Sequence, residues 1–131
     1  MKYLFDTHTF LWAMVAPEKL STEVKDVILD QNNFVYLSAA SVWEIVIKSS
    51  LGKIKEIKKT GSIENFIIKS VDINDFMPLG ITVPHTLEIA KLEEFHKDPF
   101  DRILVAQARV ENVTILTKDK FIMKYRVKIL W

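Results

Sequence analysis

The chain has 131 residues, of which 49% are hydrophobic and 27% charged, with a formal net charge of +1. That balance excludes a disordered chain and suits one compact domain burying about two-thirds of the surface its unfolded form exposes; any nucleic-acid binding has to come from a local patch. The absence of cysteine excludes disulfides and thiolate metal sites and fits a reducing compartment. No apolar run nears the roughly 18 residues of a membrane span, and Met1–Asp6 is too short and too soon acidic for a signal peptide, so the expected location is cytoplasmic, with no membrane partner.

In chain order, Tyr3-Leu4-Phe5 is a short apolar run that ends at Asp6, the pattern of a buried strand. Phe10, Leu11, Trp12 and Met14 mark a short helix from about Thr9 to Val15. Ser21 opens a second helix, with Val24, Val27 and Ile28 at helical spacing and Glu23 and Asp26 in its early turns, and Asn32-Asn33 breaks it. Phe34–Leu37 is a strand rich in β-formers. A helix from Ser41 to about Leu51 ends at Gly52, and Ser41 and Glu44 have the spacing of a capping box. Ile63–Val71 is helical after Gly61-Ser62, and Phe76–Ile81 is a strand weakened by Pro78 and Gly80. Pro84 starts a helix to about Leu92; Pro99 starts another to about Glu111, with Asp98 at its N-cap. Val113–Leu116 is a strand, Asp119–Tyr125 a helical turn and Val127–Leu130 a last strand.

No repeat, linker or low-complexity segment interrupts this series, so residues 1–131 are expected to form a single domain. Continuous apolar strands alternating with helices predict an α/β fold, a central mainly parallel sheet flanked by helices on both faces. In such folds, ligands bind outside the carboxyl ends of the strands.

Four acids fall at that edge. Asp6 ends the first strand, Glu44 follows the second, Asp101 lies in the first turn of the Pro99 helix, and Asp119 lies just beyond the Val113–Leu116 strand. Each also has a plain structural role open to it. Asp6 can cap the next helix, Glu44 can pair with Ser41 or Lys48, Asp101 gains from its helix N-terminus, and Asp119 can sit solvated in a turn. Their joint placement points to a metal site. Two carboxylates about 5 Å apart repel by roughly 3 kcal/mol at an effective dielectric near 20, so such a group holds protons or a cation. Oxygen donors favour Mg²⁺ or Mn²⁺, which can orient and acidify a water and neutralise charge on a phosphoryl oxygen.

The chain resembles the PIN-domain family, and within it the VapC-like toxins of toxin–antitoxin systems. The resemblance rests on Leu4-Phe5-Asp6-Thr7-His8; on Leu37-Ser38-Ala39-Ala40-Ser41-Val42-Trp43-Glu44-Ile45 with Lys48 and Leu51-Gly52-Lys53-Ile54; on His96-Lys97-Asp98-Pro99-Phe100-Asp101-Arg102 with Ala106-Gln107-Ala108; and on Leu116-Thr117-Lys118-Asp119. It implies a three-layer PIN-like domain acting as an Mg²⁺- or Mn²⁺-dependent endoribonuclease on RNA, with Asp6, Glu44, Asp101 and Asp119 as catalytic metal-binding acids. It also implies a homodimer and a cognate antitoxin protein.

Around these acids, Thr7 and Thr117 are candidates to hydrogen-bond them or equally plain turn residues, and Asp98 is expected to cap its helix. Arg102 is expected in a structural salt bridge and His8 at the edge of the core, while His85 and His96 carry no specific signal. Lys48, Lys53, Lys55, Lys58 and Lys59 form one basic stretch, and Lys118, Lys120, Lys124, Arg126 and Lys128 another; either could follow a phosphate backbone or be a solvated face. Phe10, Trp12 and Trp43 are expected in the core or an interface. Trp43 and Ile47 share a helical stripe apart from Val42, Ile45 and Val46, leaving an apolar face for a partner.

Rival classes fit less well. A phosphatase with an aspartyl nucleophile needs a second Asp where His8 stands, a helical metal phosphohydrolase needs a His-Asp pair, and a receiver signalling domain needs paired acids after the first strand. A catalytically inactive PIN-like or receiver-like binding or signalling module with a structural metal site is the alternative that RNA hydrolysis would exclude.

Overall fold

The computed structural model describes residues 1–54, 57 and 61–131; Lys55, Lys58 and Lys59 of the first basic stretch lie outside the described residues. Among the described residues, five parallel strands form one sheet in the order β3-β2-β1-β4-β5: β1 (Lys2–Phe5), β2 (Phe34–Ser38), β3 (Met77–Leu79), β4 (Thr114–Leu116) and β5 (Ile129–Leu130). Register pairs Leu4 with Tyr36 on one side and with Ile115 on the other. The first strand in sequence is therefore the central one.

Strand alternation divides the core. Tyr3, Phe5, Val35, Leu37 and Leu116 point to one face; Leu4 and Ile115 point to the other, with Tyr36 and Ile129 packed beside them. The first face is covered by α1 (Thr7–Val15), α2 (Thr22–Leu29), part of α3 (Ala39–Ser50) and α4 (Ile63–Ile73), through Phe10, Val24, Ile45 and Phe66. The second is covered chiefly by α6 (Pro99–Glu111), whose Ile103, Leu104, Val105, Ala106 and Ala108 are buried, with Ile89 of α5 (Val83–Ile89) beside them. Helices on both faces of a parallel sheet make the expected three-layer α/β fold. No described helix is long and apolar enough to cross a membrane.

Side-chain caps set the helix starts. Ser21 accepts from Val24 N, Ser62 from Asn65 N, and Asp98 from both Phe100 N and Asp101 N, so α6 runs over the expected Pro99–Glu111. Two starts differ from expectation. Asp6 caps α1, which thus begins at Thr7 rather than Thr9. Ser38 caps α3 by accepting from Ala40 N, so the helix begins directly where β2 ends. Ser41 is then inside the helix, and the expected Ser41–Glu44 capping box does not form.

The edge strands are shorter than expected. Pro78 lacks the N–H a central strand needs and sits at the sheet's edge, where β3 keeps only Met77–Leu79. The α5 start is fixed by a capping box between Thr82 and the fully buried His85, whose Nε2 lies 2.8 Å from Glu111.

Candidate metal centre

The carboxyl ends of β1 and β4 are adjacent, and each is followed by a site residue. Asp6 N donates to Leu116 O, joining the two strand ends. Asp6 is buried; Thr9 N donates to its Oδ1 at 2.7 Å and the Thr117 hydroxyl donates to its Oδ2. The same Thr117 oxygen accepts from Asp119 N at 2.9 Å. Thr117 thus fixes both acids. Asp119 Oδ1 accepts from Phe121 N at 2.8 Å and Ile122 N at 3.0 Å, which starts the short helical turn over Ile122–Lys124.

Asp6 and Asp119 line one cavity of about 410 Å³ with His8, Trp12, Lys118, Lys120 and Phe121. Burial pushes the Asp6 carboxyl above its usual range, against the lowering effect of its hydrogen bonds from Thr117 and Thr9.

Asp101 stands beside this cavity. Burial pushes its pKa up from 3.8 to about 6, the hydrogen bond from His96 opposes this, and the negative charges of Asp98 and Asp119 add to the rise. Asp101 and Asp119 therefore share one electrostatic environment. A chain of donors holds Asp101 in place. Arg102 Nη1 donates to Tyr125 Oη at 3.0 Å, Tyr125 Oη lies 2.8 Å from His96 Nδ1, and His96 Nε2 lies 3.1 Å from Asp101 Oδ2. With the tyrosine proton directed to Nδ1, the neutral imidazole donates from Nε2 to the carboxylate. His96 also stacks on Phe121, at 5.1 Å and 3° between planes, joining this chain to the cavity wall.

Glu44 is placed differently. It is buried on α3, and its Oε2 meets Lys48 Nζ at 2.7 Å, the i,i+4 pairing open to it from sequence. Ser41, one turn earlier on the same face, accepts from the Thr7 hydroxyl at 3.1 Å, so this face of α3 is turned toward the start of α1. Among the described residues, no three His, Asp or Glu side chains converge as a ready-made ligand group. The structure brings Asp6 and Asp119 into one cavity with Asp101 next to them, and Glu44 remains with its lysine.

Other expectations change. Among the described residues Arg102 makes no salt bridge; besides Tyr125 it bonds the Glu93 and His96 carbonyls, which brace the loop before α6. His96 carries no signal in sequence because Tyr125, which fixes the ring that meets Asp101, lies 29 residues along the chain. His8 is exposed rather than at the core edge, tilted over Trp12 at 6.0 Å. Val46 joins Trp43 and Ile47 on the exposed face of α3, with exposed Leu51 at its C-cap, instead of lying with Val42 and Ile45.

Two carboxylates in one cavity, a third raised chiefly by burial and further by like charge, and no thiolate are a donor set that suits a hard divalent cation. Asp6 and Asp119 are the residues placed to hold one, with Asp101 nearest to join them.

The fold has known counterparts. VapBC2 from Rickettsia felis, bound to a DNA fragment from their promoter, aligns with a TM-score of 0.74 at 16% identity, over 100% of this chain and 99% of that one. DNA-bound VapBC from Salmonella typhimurium aligns at 0.68 and 10%, over 99% and 97%. VapBC-1 from nontypeable Haemophilus influenzae aligns at 0.63 and 16%, also over 99% and 97%. No curated protein sequence matches significantly. The family model of the PIN domain matches residues 3–127, and with that match spanning every strand of the sheet but the last, the chain belongs to the PIN domain family.

Proposed function

We propose that this protein is a divalent-metal-dependent endoribonuclease, the toxin of a VapBC-type toxin–antitoxin pair, working as a single domain over residues 1–131 with Asp6, Glu44, Asp101 and Asp119 as its catalytic acids. The observation that carries this reading is the cavity in which one threonine hydroxyl ties Asp6 to Asp119. Mg²⁺ or Mn²⁺ is the cofactor. Mg²⁺ is commonly held by one or two carboxylates with waters completing its shell, which suits a two-acid cavity. When bound, the ion supplies charge neutralisation at the phosphoryl oxygens and a polarised water for attack on the phosphodiester.

The chain's own residues do the rest. Thr117 and the first turn of α1 fix the Asp6 carboxyl in place and partly offset the rise that burial imposes on it. His96 holds Asp101 in one rotamer. Lys118 and Lys120, at the cavity wall, meet the negative charge of the substrate backbone. Glu44 joins the acids by exchanging Lys48 for the cation.

Membership of the PIN family and the likeness to VapBC structures support the nuclease activity and a cognate antitoxin as partner. The exposed apolar face of Trp43, Val46, Ile47 and Leu51 supports a homodimer. The protein acts in the cytoplasm, where such RNA is met.

The test is incubation of the purified protein with total cellular RNA, with Mg²⁺, Mn²⁺ or EDTA, beside Asp6→Asn and Asp101→Asn. Metal-dependent cleavage lost in both variants is expected. Cleavage by the variants at the parent's rate would overturn the site, and integrity of all RNA under every condition, with free protein confirmed by mass, would favour the inactive binding module.

A further inference from the structure

The acid cavity has a neighbour. His8 and Trp12 also wall a second hollow of about 330 Å³, whose charged lining residues are Lys19, Lys48 and Lys53. The two hollows therefore share a wall, with the two acids and Lys118 and Lys120 on one side of it and three lysines on the other. In the metal-free protein Lys48 pairs with Glu44, so Lys19 and Lys53 are the lysines that face a ligand there.

Trp12 organises both sides. Lys118 Nζ lies 4.7 Å from the Trp12 ring centre and 5.2 Å from that of Trp131, while Lys19 Nζ lies 5.9 Å from Trp12. The two indoles meet edge to face at 5.8 Å. An exposed lysine ordinarily samples many rotamers. Here two approach one indole, each from a different hollow, and a weak cation–π contact biases each ammonium group toward that wall. Trp12 is thus engaged by lysines and is not a free base-stacking platform. Leu11, Val15 and Ile54 give the second hollow an apolar lining beside its charges.

We infer that the lysine-lined hollow is a subsite for the single-stranded RNA backbone on one side of the bond to be cut, with Trp12 positioning Lys19 and Lys118 along the path. This rests on the ribonuclease reading above. Phosphates match the lysines, and bases match the apolar lining, which a run of acidic side chains in a peptide would leave uncovered. The adjoining hollows suit a flexible strand better than a stiff duplex.

The test reads binding without turnover. Anisotropy of a labelled single-stranded oligoribonucleotide is measured against the whole protein in EDTA over a range of salt. Lys19→Gln with Lys53→Gln is expected to weaken binding and flatten the slope of log K against log salt by about 1.4, at about 0.7 per lost phosphate contact. Lys19→Arg with Lys53→Arg is expected to retain both. An unchanged slope in the glutamine pair would overturn the subsite. So would tighter binding of a poly-glutamate peptide, or of duplex RNA, abolished by the same pair. A parallel cleavage assay separates the two readings. Cleavage with an unchanged slope defeats only the subsite, whereas a flattened slope with no cleavage of any RNA defeats the ribonuclease and keeps a single-strand binding surface.

Discussion

Replacing Asp101 by asparagine should make the metal-free protein more stable while abolishing its cleavage of RNA. The Asp101 pKa is 3.8 in the unfolded reference and about 6 in the fold. Between those values the folded state binds the extra proton, so the contribution of this group to stability falls as pH rises, and above about 6 its unfavourable effect is complete. The displacement corresponds to at most roughly 3 kcal/mol. The side chain keeps 21% of its exposure and water screens its neighbours, so about 1–2 kcal/mol is expected at pH 7.5. Asparagine keeps an acceptor for His96 Nε2 and removes the charge that Asp98 and Asp119 oppose. Urea denaturation in EDTA should show that gain at pH 7.5, with Tm higher by roughly 3–8 °C. The difference should shrink at pH 4.5 and disappear below about pH 4, and added Mg²⁺ should narrow it at pH 7.5 by stabilising the parent. A variant less stable than the parent at pH 7.5, or a difference independent of pH, would refute the reasoning that like charge and burial strain this carboxylate.

Thr117→Val should lose about 1–3 kcal/mol by urea denaturation, because buried Asp6 loses a donor and Asp119 N loses its acceptor; equal stability would show that the hydroxyl is dispensable. Tyr125→Phe should cost about 1–2 kcal/mol and lower the rate of cleavage through a loosened His96, and an unchanged rate would remove the Arg102–Tyr125–His96 chain from any role at the site. Lys48→Met should tighten Mn²⁺ binding measured by calorimetry, by up to about fivefold, since an i,i+4 pair with a partly exposed lysine is worth up to roughly 1 kcal/mol; a weaker or equal Kd would take Glu44 out of the ligand set.

What could be read in advance was what local chemistry decides. Asp98-Pro99 carries its own instructions, a side-chain cap followed by a residue whose missing N–H is harmless in the first turn, and α6 has the expected bounds. Apolar runs at β1, β2 and β4 likewise show that both faces are covered. Contacts across the fold escaped. Ser38 and Ser41 are equally good caps in isolation, and the choice falls to Ser38 because Ser41 is drawn to Thr7, 34 residues away in sequence. His96 is joined to Asp101 through a ring whose other nitrogen is held by Tyr125, 29 residues on, a spacing with no local signature. Glu44 has a lysine one turn away, and no reading of the chain alone decides whether that ammonium or a metal holds it.

The central place of β1 bears on how the protein is made. Asp6 leaves the ribosome well before the group that holds it, the hydroxyl of Thr117, 111 positions later. Until β4 follows, β1 has a bare edge beside it, and a nascent or truncated chain carries an open strand flanked by apolar side chains, the kind of surface that pairs with other chains. Contacts this distant also slow folding, because a long loop must close before they form. The acid cavity thus cannot exist until synthesis has passed Thr117 and Asp119: its first acid waits for partners made more than a hundred residues later.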